Sequence, residues 1–108
     1  MKGYLGEFEE LVLLTISMLG DTAYGVAIKE ALEQKANRRI TVGSLHSTIT
    51  RLEEKGLLSS TMGEATAVRG GRKKRYFQLT ADARQVLQQV KALRDDLWRS
   101  SELGFEQS

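Results

Sequence analysis

The chain contains no cysteine, which removes disulfide staples and thiolate chemistry and fits a reducing cytoplasm. It has one histidine, His46, so no histidine cluster can hold a metal within one chain. The longest apolar stretch, residues 11–19, falls well short of the roughly 20 residues a spanning helix needs. The opening residues, MKGYLGEFEE, meet acids before any apolar run, which argues against a signal peptide. Paired carboxylates are scarce too. Glu53-Glu54 and Asp95-Asp96 are adjacent on expected helices, so each pair diverges rather than converging on a substrate. Gly70-Gly71 falls between expected strands, not at a strand-to-helix turn, so it is no phosphate-cradling loop. An enzyme survives only as a residual reading, and no cofactor is expected. The expectation is a soluble cytoplasmic protein with no membrane association.

What remains is an ordinary globular composition, 41% hydrophobic and 28% charged over 108 residues. That length suits one domain burying about two-thirds of its unfolded surface. The formal charge of +2 hides a polarised molecule. Residues 38–75 hold nine basic and three acidic residues, a local +6, while the other positions hold seven and eleven, a balance of −4.

The basic region has an internal order. Over residues 42–56 the apolar positions Val42, Leu45, Ile49 and Leu52 recur three and four apart, which predicts one helical face. Thr41 is placed to cap this helix, and Gly56 suits the left-handed residue that ends it. The opposite face carries Gly43, Ser44, Ser47, Thr50 and Arg51: little bulk, several hydroxyls and one long donor. A helix entering a major groove wants those features, although an ordinary solvated face is the bland alternative. Residues 57–61 and 72–79 then read as two strands, with Phe77 and Leu79 turned inward. The loop between them, residues 63–71, is long for a tight hairpin. Around it Arg69, Arg72, Lys73, Lys74 and Arg75 put five cations into seven residues with no acid among them. A basic loop presented by two strands is a footprint for a polyanion, and a solvated charge run is the competing reading. Helix, strand, basic turn and strand together look like a winged helix-turn-helix reading head.

These residues also carry a family resemblance. VGSLHSTITRLEEKGLL followed by GGRKKRYFQLT is similar to the PadR family of bacterial transcriptional regulators. The matching positions are Gly43, Ser44 and Leu45, then Arg51, Leu52, Glu53, Gly56 and Leu57, then Gly71, Arg72, Tyr76, Phe77, Leu79 and Thr80. Tyr24-Gly25 extends the resemblance to the opening of the second helix, and in all it covers about the first hundred residues. His46 stands where the family usually has Tyr, Ala83 replaces the usual Gly after L-T, and no proline flanks the G-S-L stretch. The resemblance implies a DNA-binding regulator and, in ligand-responsive relatives, a small aromatic effector held between subunits.

The rest of the chain supports the head. A first helix, Glu7–Leu19 ending at Gly20, is apolar on nearly every side. Phe8, Leu11, Val12, Thr15 and Leu19 form its expected stripe, with Leu14 and Met18 off it. Such a helix needs two partners: the core and another subunit. Asp21 or Thr22 is expected to cap a second helix running to about Ala36, with Tyr24, Ile28, Ala31 and Leu32 facing inward. Arg38 and Arg39 follow, either touching phosphates or simply favouring a helix C-terminus. Thr80 is expected to cap a last helix over residues 81–101, about 30 Å long at 1.5 Å per residue. Its seam of Ala83, Val86, Val90, Leu93 and Leu97, widened by Leu87 and Trp98, spans just over two heptads.

The expected architecture is mainly α with a small β-wing. Residues 1–80 form a winged helix-turn-helix domain, and residues 81–108 a C-terminal dimerisation helix with a short tail. Double-stranded DNA is the expected partner. Its contacts would be Arg38, Arg39, Gly43, Ser44, His46, Ser47, Thr50, Arg51, Arg69, Arg72, Lys73, Lys74 and Arg75. For His46 a partly buried boundary position is favoured over a DNA contact. A homodimer interface is expected from Phe8, Leu11, Leu14, Met18, Val86, Val90, Leu93, Leu97 and Trp98. Trp98 is either an interface anchor, the favoured reading, or the wall of a small aromatic effector's site. The function is then a transcriptional regulator, a repressor on a two-fold symmetric operator. The rival is a winged-helix protein-interaction module that does not read DNA, against which the uncompensated wing cations argue.

Overall fold

The computed structural model describes residues 5–63 and 74–105. In chain order these form α1 (Glu7–Leu19), α2 (Gly25–Ala36), α3 (Val42–Glu54), β1 (Leu58–Met62), β2 (Arg75–Leu79), α4 (Ala81–Ser100) and α5 (Glu102–Phe105). A 3-10 turn at Gly20–Thr22 joins α1 to α2. The fold is mainly helical with a two-stranded antiparallel sheet, as expected, and one core gathers side chains from α1 to α4.

α1 has the predicted bounds, with Glu7, Glu9 and Glu10 in its first turn and Gly20 at φ +57 beyond its end. Its buried face is rotated from the expected stripe. Val12, Leu13, Thr15 and Ile16 are buried with Glu9, while Phe8, Leu11 and Leu19 only flank the core. The shift occurs because α1 packs against α2, α3 and β2 together, so the core claims Leu13 and Ile16 from its middle.

α2 starts later than its predicted cap. Asp21 and Thr22 belong to the 3-10 turn, where the Thr22 hydroxyl donates to the Leu19 carbonyl at 2.8 Å. The sheet sets the delay. Phe77 N–H donates to the Ala23 carbonyl at 2.9 Å and Tyr24 bridges Tyr76, which holds Tyr24 extended until Gly25. Ile28 and Leu32 are buried, whereas Tyr24 and Ala31 are only half-buried.

α3 follows the local signals closely. Thr41 Oγ1 accepts from Ser44 N–H at 3.1 Å, and Leu45, Thr48, Ile49 and Leu52 face the core. Val42 does not join them. It is 70% exposed, because the first turn of α3 projects past the packed part of the helix into an open cleft. At the other end Gly56 takes φ +76, and Leu57 N–H donates back to the Leu52 carbonyl at 2.9 Å. That reversal delivers Leu57 and Leu58 into the core and starts β1.

β1 and β2 pair in register from Leu58↔Leu79 to Met62↔Arg75, with Phe77 buried opposite Ser60. β1 starts one residue later than predicted; β2 begins at Arg75, and residues 72 and 73 of its expected range lie outside the described residues. Thr80 then serves both neighbours: its hydroxyl donates to the Gly56 carbonyl at 2.8 Å and accepts from Ala83 N–H at 3.2 Å. Ala83 and Val86 anchor the first half of α4 in the core. The second half leaves it, and the radius of gyration of 16.2 Å exceeds the roughly 13 Å of a compact chain this long. Arg94 reaches back to Glu10 at 2.8 Å, bridging a groove of about 540 Å³ between α4 and α1. None of the described helices is long and apolar enough to cross a membrane.

Candidate nucleic-acid interface

α3 presents a face on which Gly43, Ser44, His46, Ser47, Thr50 and Arg51 are all exposed. His46 therefore departs from the boundary position favoured for it and stands in solvent on this face. The Ser44 hydroxyl donates to the Thr41 carbonyl at 3.2 Å, so the cap partly occupies it. A Cβ added at Gly43 would meet nothing within 4 Å, and the same holds for Gly25 at the start of α2. The folded chain alone gives no packing reason for either glycine. A helical glycine costs about 0.5–1 kcal/mol relative to alanine, so open glycines at two helix starts suit an approaching surface.

Two carboxylates fix this helix on its neighbours. Glu9 of α1 is buried and accepts from Gly6 N–H at 2.9 Å and from Lys55 Nζ at 2.8 and 2.9 Å. Arg51 Nε lies 3.5 Å from the same carboxylate, and Arg51 Nη2 donates to the Thr48 hydroxyl at 3.2 Å. Burial pushes the Glu9 carboxyl up, but Lys55, the Gly6 amide and Arg51 outweigh it and hold the group below the ordinary glutamate range. On the other flank Glu53 accepts from Arg75 Nη2 at 3.2 Å and from the Ser60 hydroxyl at 3.3 Å, with Arg75 Nε donating to Ser60 Oγ at 2.9 Å. The first clamp ties α3 to α1, and the second ties it to both wing strands.

These clamps revise the expected cation inventory. Arg75 is not uncompensated, because Glu53 pairs with it. Arg51 stays half-exposed but turns toward α1 rather than standing straight out. Arg38 pairs with Glu7 at 3.6 Å and lies 5.4 Å from the centre of the Phe8 ring, so it braces the start of α1. Arg39 is exposed. Lys74 Nζ sits 4.0 Å from the centre of the Tyr24 ring, which meets Tyr76 edge to face at 5.7 Å. Arg69, Arg72 and Lys73 lie outside the described residues. The exposed end of α3 also carries Glu54, whose neighbour Glu53 turns to the wing as the divergent-pair argument expected.

The expected interface residues divide three ways. Leu14, Met18, Leu93, Leu97 and Trp98 are exposed, with Leu97 at 59% and Trp98 at 44%. Phe8, Leu11 and Val90 are half-buried against the core of their own chain. Val86 is a correction: only 5% exposed, it is used up by that core and has little left for a second subunit.

The Glu9 clamp escaped the sequence reading. A glutamate in the first turn of a helix is an unremarkable signal, and nothing local announces a partner 46 residues away. The sequence profile of the Transcriptional regulator PadR-like family matches residues 13–89, most of the chain and all of the clamp-bearing α3. The chain belongs to the PadR-like family. Among solved structures, a PadR-like transcription factor from Bacteroides fragilis is 26% identical, with a TM-score of 0.70, covering 86% of this chain and 84% of that one. A PadR family transcriptional regulator from Eggerthella lenta DSM 2243 is 28% identical, with a TM-score of 0.65 over 87% and 81% of the two chains. A PadR-like transcriptional regulator from Bacillus cereus, 20% identical, shares the fold at a TM-score of 0.70 over 86% and 85%. No curated protein matches the chain. Membership in a family of transcriptional regulators gives the exposed face of α3 its functional context.

Proposed function

We propose that this PadR-like protein is a cytoplasmic repressor that binds a two-fold symmetric operator as a homodimer and is released by a small aromatic effector. The observation that carries the DNA reading is the α3 face of Gly43, Ser44, His46, Ser47, Thr50 and Arg51, exposed on the helix that Lys74 and Arg75 flank. Gly43 and Ser47 allow close approach, Thr50 and His46 offer polar contacts to base edges, and Arg51 supplies a long donor. Arg39, Lys74 and the wing cations Arg69, Arg72 and Lys73 act on phosphates, with Arg38 and Arg75 reaching them from their internal pairs. In this reading residues 1–80 are the DNA-binding domain and residues 81–108 the dimerisation element. The apolar exposure of Leu93, Leu97 and Trp98 on α4, with Leu14 and Met18 on α1, supports that division. Trp98 then anchors the subunit interface and walls the effector site.

The rival reading, a protein-interaction module without DNA recognition, gains from the internal pairing of Arg38, Arg51 and Arg75. Fluorescence anisotropy on the protein's own promoter and on scrambled duplex, across a salt series, separates the two. A specific regulator binds the promoter steeply against salt and about a thousand-fold more tightly than scrambled DNA, near 4 kcal/mol. Equal, weak binding to both duplexes favours the interaction module. For the effector, Trp98 emission should respond to planar aromatic cations or phenolic acids, and a silent response to both panels would remove them as ligands.

A further inference from the structure

The reading head contains a cleft of about 660 Å³ between the start of α2, the outer flank of α3 and the base of β2. Its size falls within the range of roughly 300–1,000 Å³ typical of small-molecule sites. Ile49 and Phe77 form its floor, and Val26 and Val42 stand at its lips, 62% and 70% exposed. Two exposed valines on one concave surface are an apolar feature that phosphate binding does not call for. The walls are held in place by the Tyr24–Tyr76 bridge and by the Arg75–Glu53 pair. The charges facing the cleft are unequal. Lys29 is paired with Glu33, and Arg75 with Glu53, whereas no carboxylate among the described residues pairs with Lys74. An occupant that satisfies both features has an apolar body and one negative group.

We infer that this cleft binds a small amphipathic anion, a flat or branched apolar body with a single acidic group, and that its occupancy excludes DNA. The acid pairs with Lys74, displacing the ammonium from the Tyr24 ring, while the body covers Val26, Val42 and Phe77. Exclusion is steric, because the occupant stands between α3 and the wing, and also electrostatic, because it neutralises a wing cation. This site is separate from Trp98 on α4. Only the exclusion of DNA rests on the function proposed above.

The test uses the full chain and anilinonaphthalene sulfonate as the probe, with binding mapped by amide chemical shifts. Shifts should concentrate at Gly25, Val42 and Lys74. Lys74→Ala, an exposed change that leaves the melting temperature in place, should raise the probe's Kd about tenfold, the scale of a lost charged hydrogen bond. Lys35→Ala, an exposed change at the far end of α2, should leave that Kd unchanged, and promoter duplex should release the probe. Shifts confined to α1 and α4, or a Kd indifferent to Lys74→Ala, would overturn the site. So would an absence of probe binding while Val26→Ala and Val42→Ala weaken DNA binding, since the valines would then be DNA contacts. If duplex fails to bind even the probe-free protein, the DNA reading fails, and Lys74-dependent probe binding still establishes the cleft.

Discussion

Gly43 stands in the first turn of α3 with open space where a Cβ would project. A methyl group there costs the fold nothing sterically and reduces the backbone entropy lost on folding. Gly43→Ala should therefore raise stability by about 0.5–1 kcal/mol, while weakening promoter binding through a lost close approach. Thermal unfolding and anisotropy on the same sample check both halves, and unchanged promoter affinity would remove Gly43 from the contact surface. Glu9 behaves in the opposite way, since its value lies within the fold. Its carboxyl is held below the ordinary range, so it binds a proton less readily folded than unfolded. The stability it contributes is present above the unfolded glutamate value and is lost as pH falls below that value and through the folded one. Lys55 keeps some solvent contact, so Glu9→Gln leaves no trapped charge and should cost about 1.5–3 kcal/mol at neutral pH, the worth of charged hydrogen bonds. Urea titrations of both proteins at pH 7 and pH 3.5 should show the gap narrowing in acid. A constant gap would mean that the amide replaces the carboxylate equally well and that the charge is idle.

At the scale of elements, α3 is a helix gripped on two sides: Glu9 holds it to α1, and its own Glu53 holds the wing to it. In the proposed function, base reading and phosphate holding then fall to different parts of this head. Arg51→Ala should relax sequence preference, costing about 1–3 kcal/mol on the promoter and far less on scrambled duplex. The fold should tolerate the change, because Lys55 and the Gly6 amide still satisfy Glu9. Lys73→Ala should weaken both duplexes alike and reduce the salt slope by about one. Matched losses for the two variants on both duplexes would contradict the division. Much of this head was legible because its punctuation is local. Thr41, Gly56 and Thr80 cap or end their helices through hydrogen bonds within a few residues or through a single backbone angle, and each acts as its residue type implies. What was not legible depends on distant partners. The α2 cap moved because β2 pairs with Ala23 and holds Tyr24 extended, and α1 rotated because three elements pack on it at once. Val42 kept the right spacing for the buried face yet lies one turn beyond the packed length of α3. The cation surplus of the wing was real in sequence, but Glu53 on α3 cancels part of it by pairing with Arg75 on β2, where a count of sequence neighbours does not look.

The whole molecule is long, 57 × 29 × 22 Å, and the second half of α4 lies outside its core. Among the described residues the exposed face carrying Leu93, Leu97 and Trp98 has little cover: Arg94 ties α4 to Glu10 of α1, and α5 packs against its end. In the proposed homodimer a second copy of the same helix supplies that cover. The proposed two-fold regulator would then need its two α3 helices on the same side of a duplex, with half-sites about one helical turn, near 34 Å, apart. Dimerisation is then part of the affinity. Once one head is bound, the second binds at an effective millimolar concentration, which raises avidity by about 10²–10⁴ without any new contact. Leu97→Asp places a charge in the middle of this exposed seam and far from the core. Light scattering at micromolar concentration should give a dimer for the parent chain and a monomer for the variant, with melting now independent of concentration. Affinity for the full operator should fall by about the avidity factor, while affinity for an isolated half-site should hold. A parent chain that is already monomeric would sink the dimer. A variant that stays dimeric would move the interface to the α1–α4 groove, where Leu14 and Leu87 line the floor.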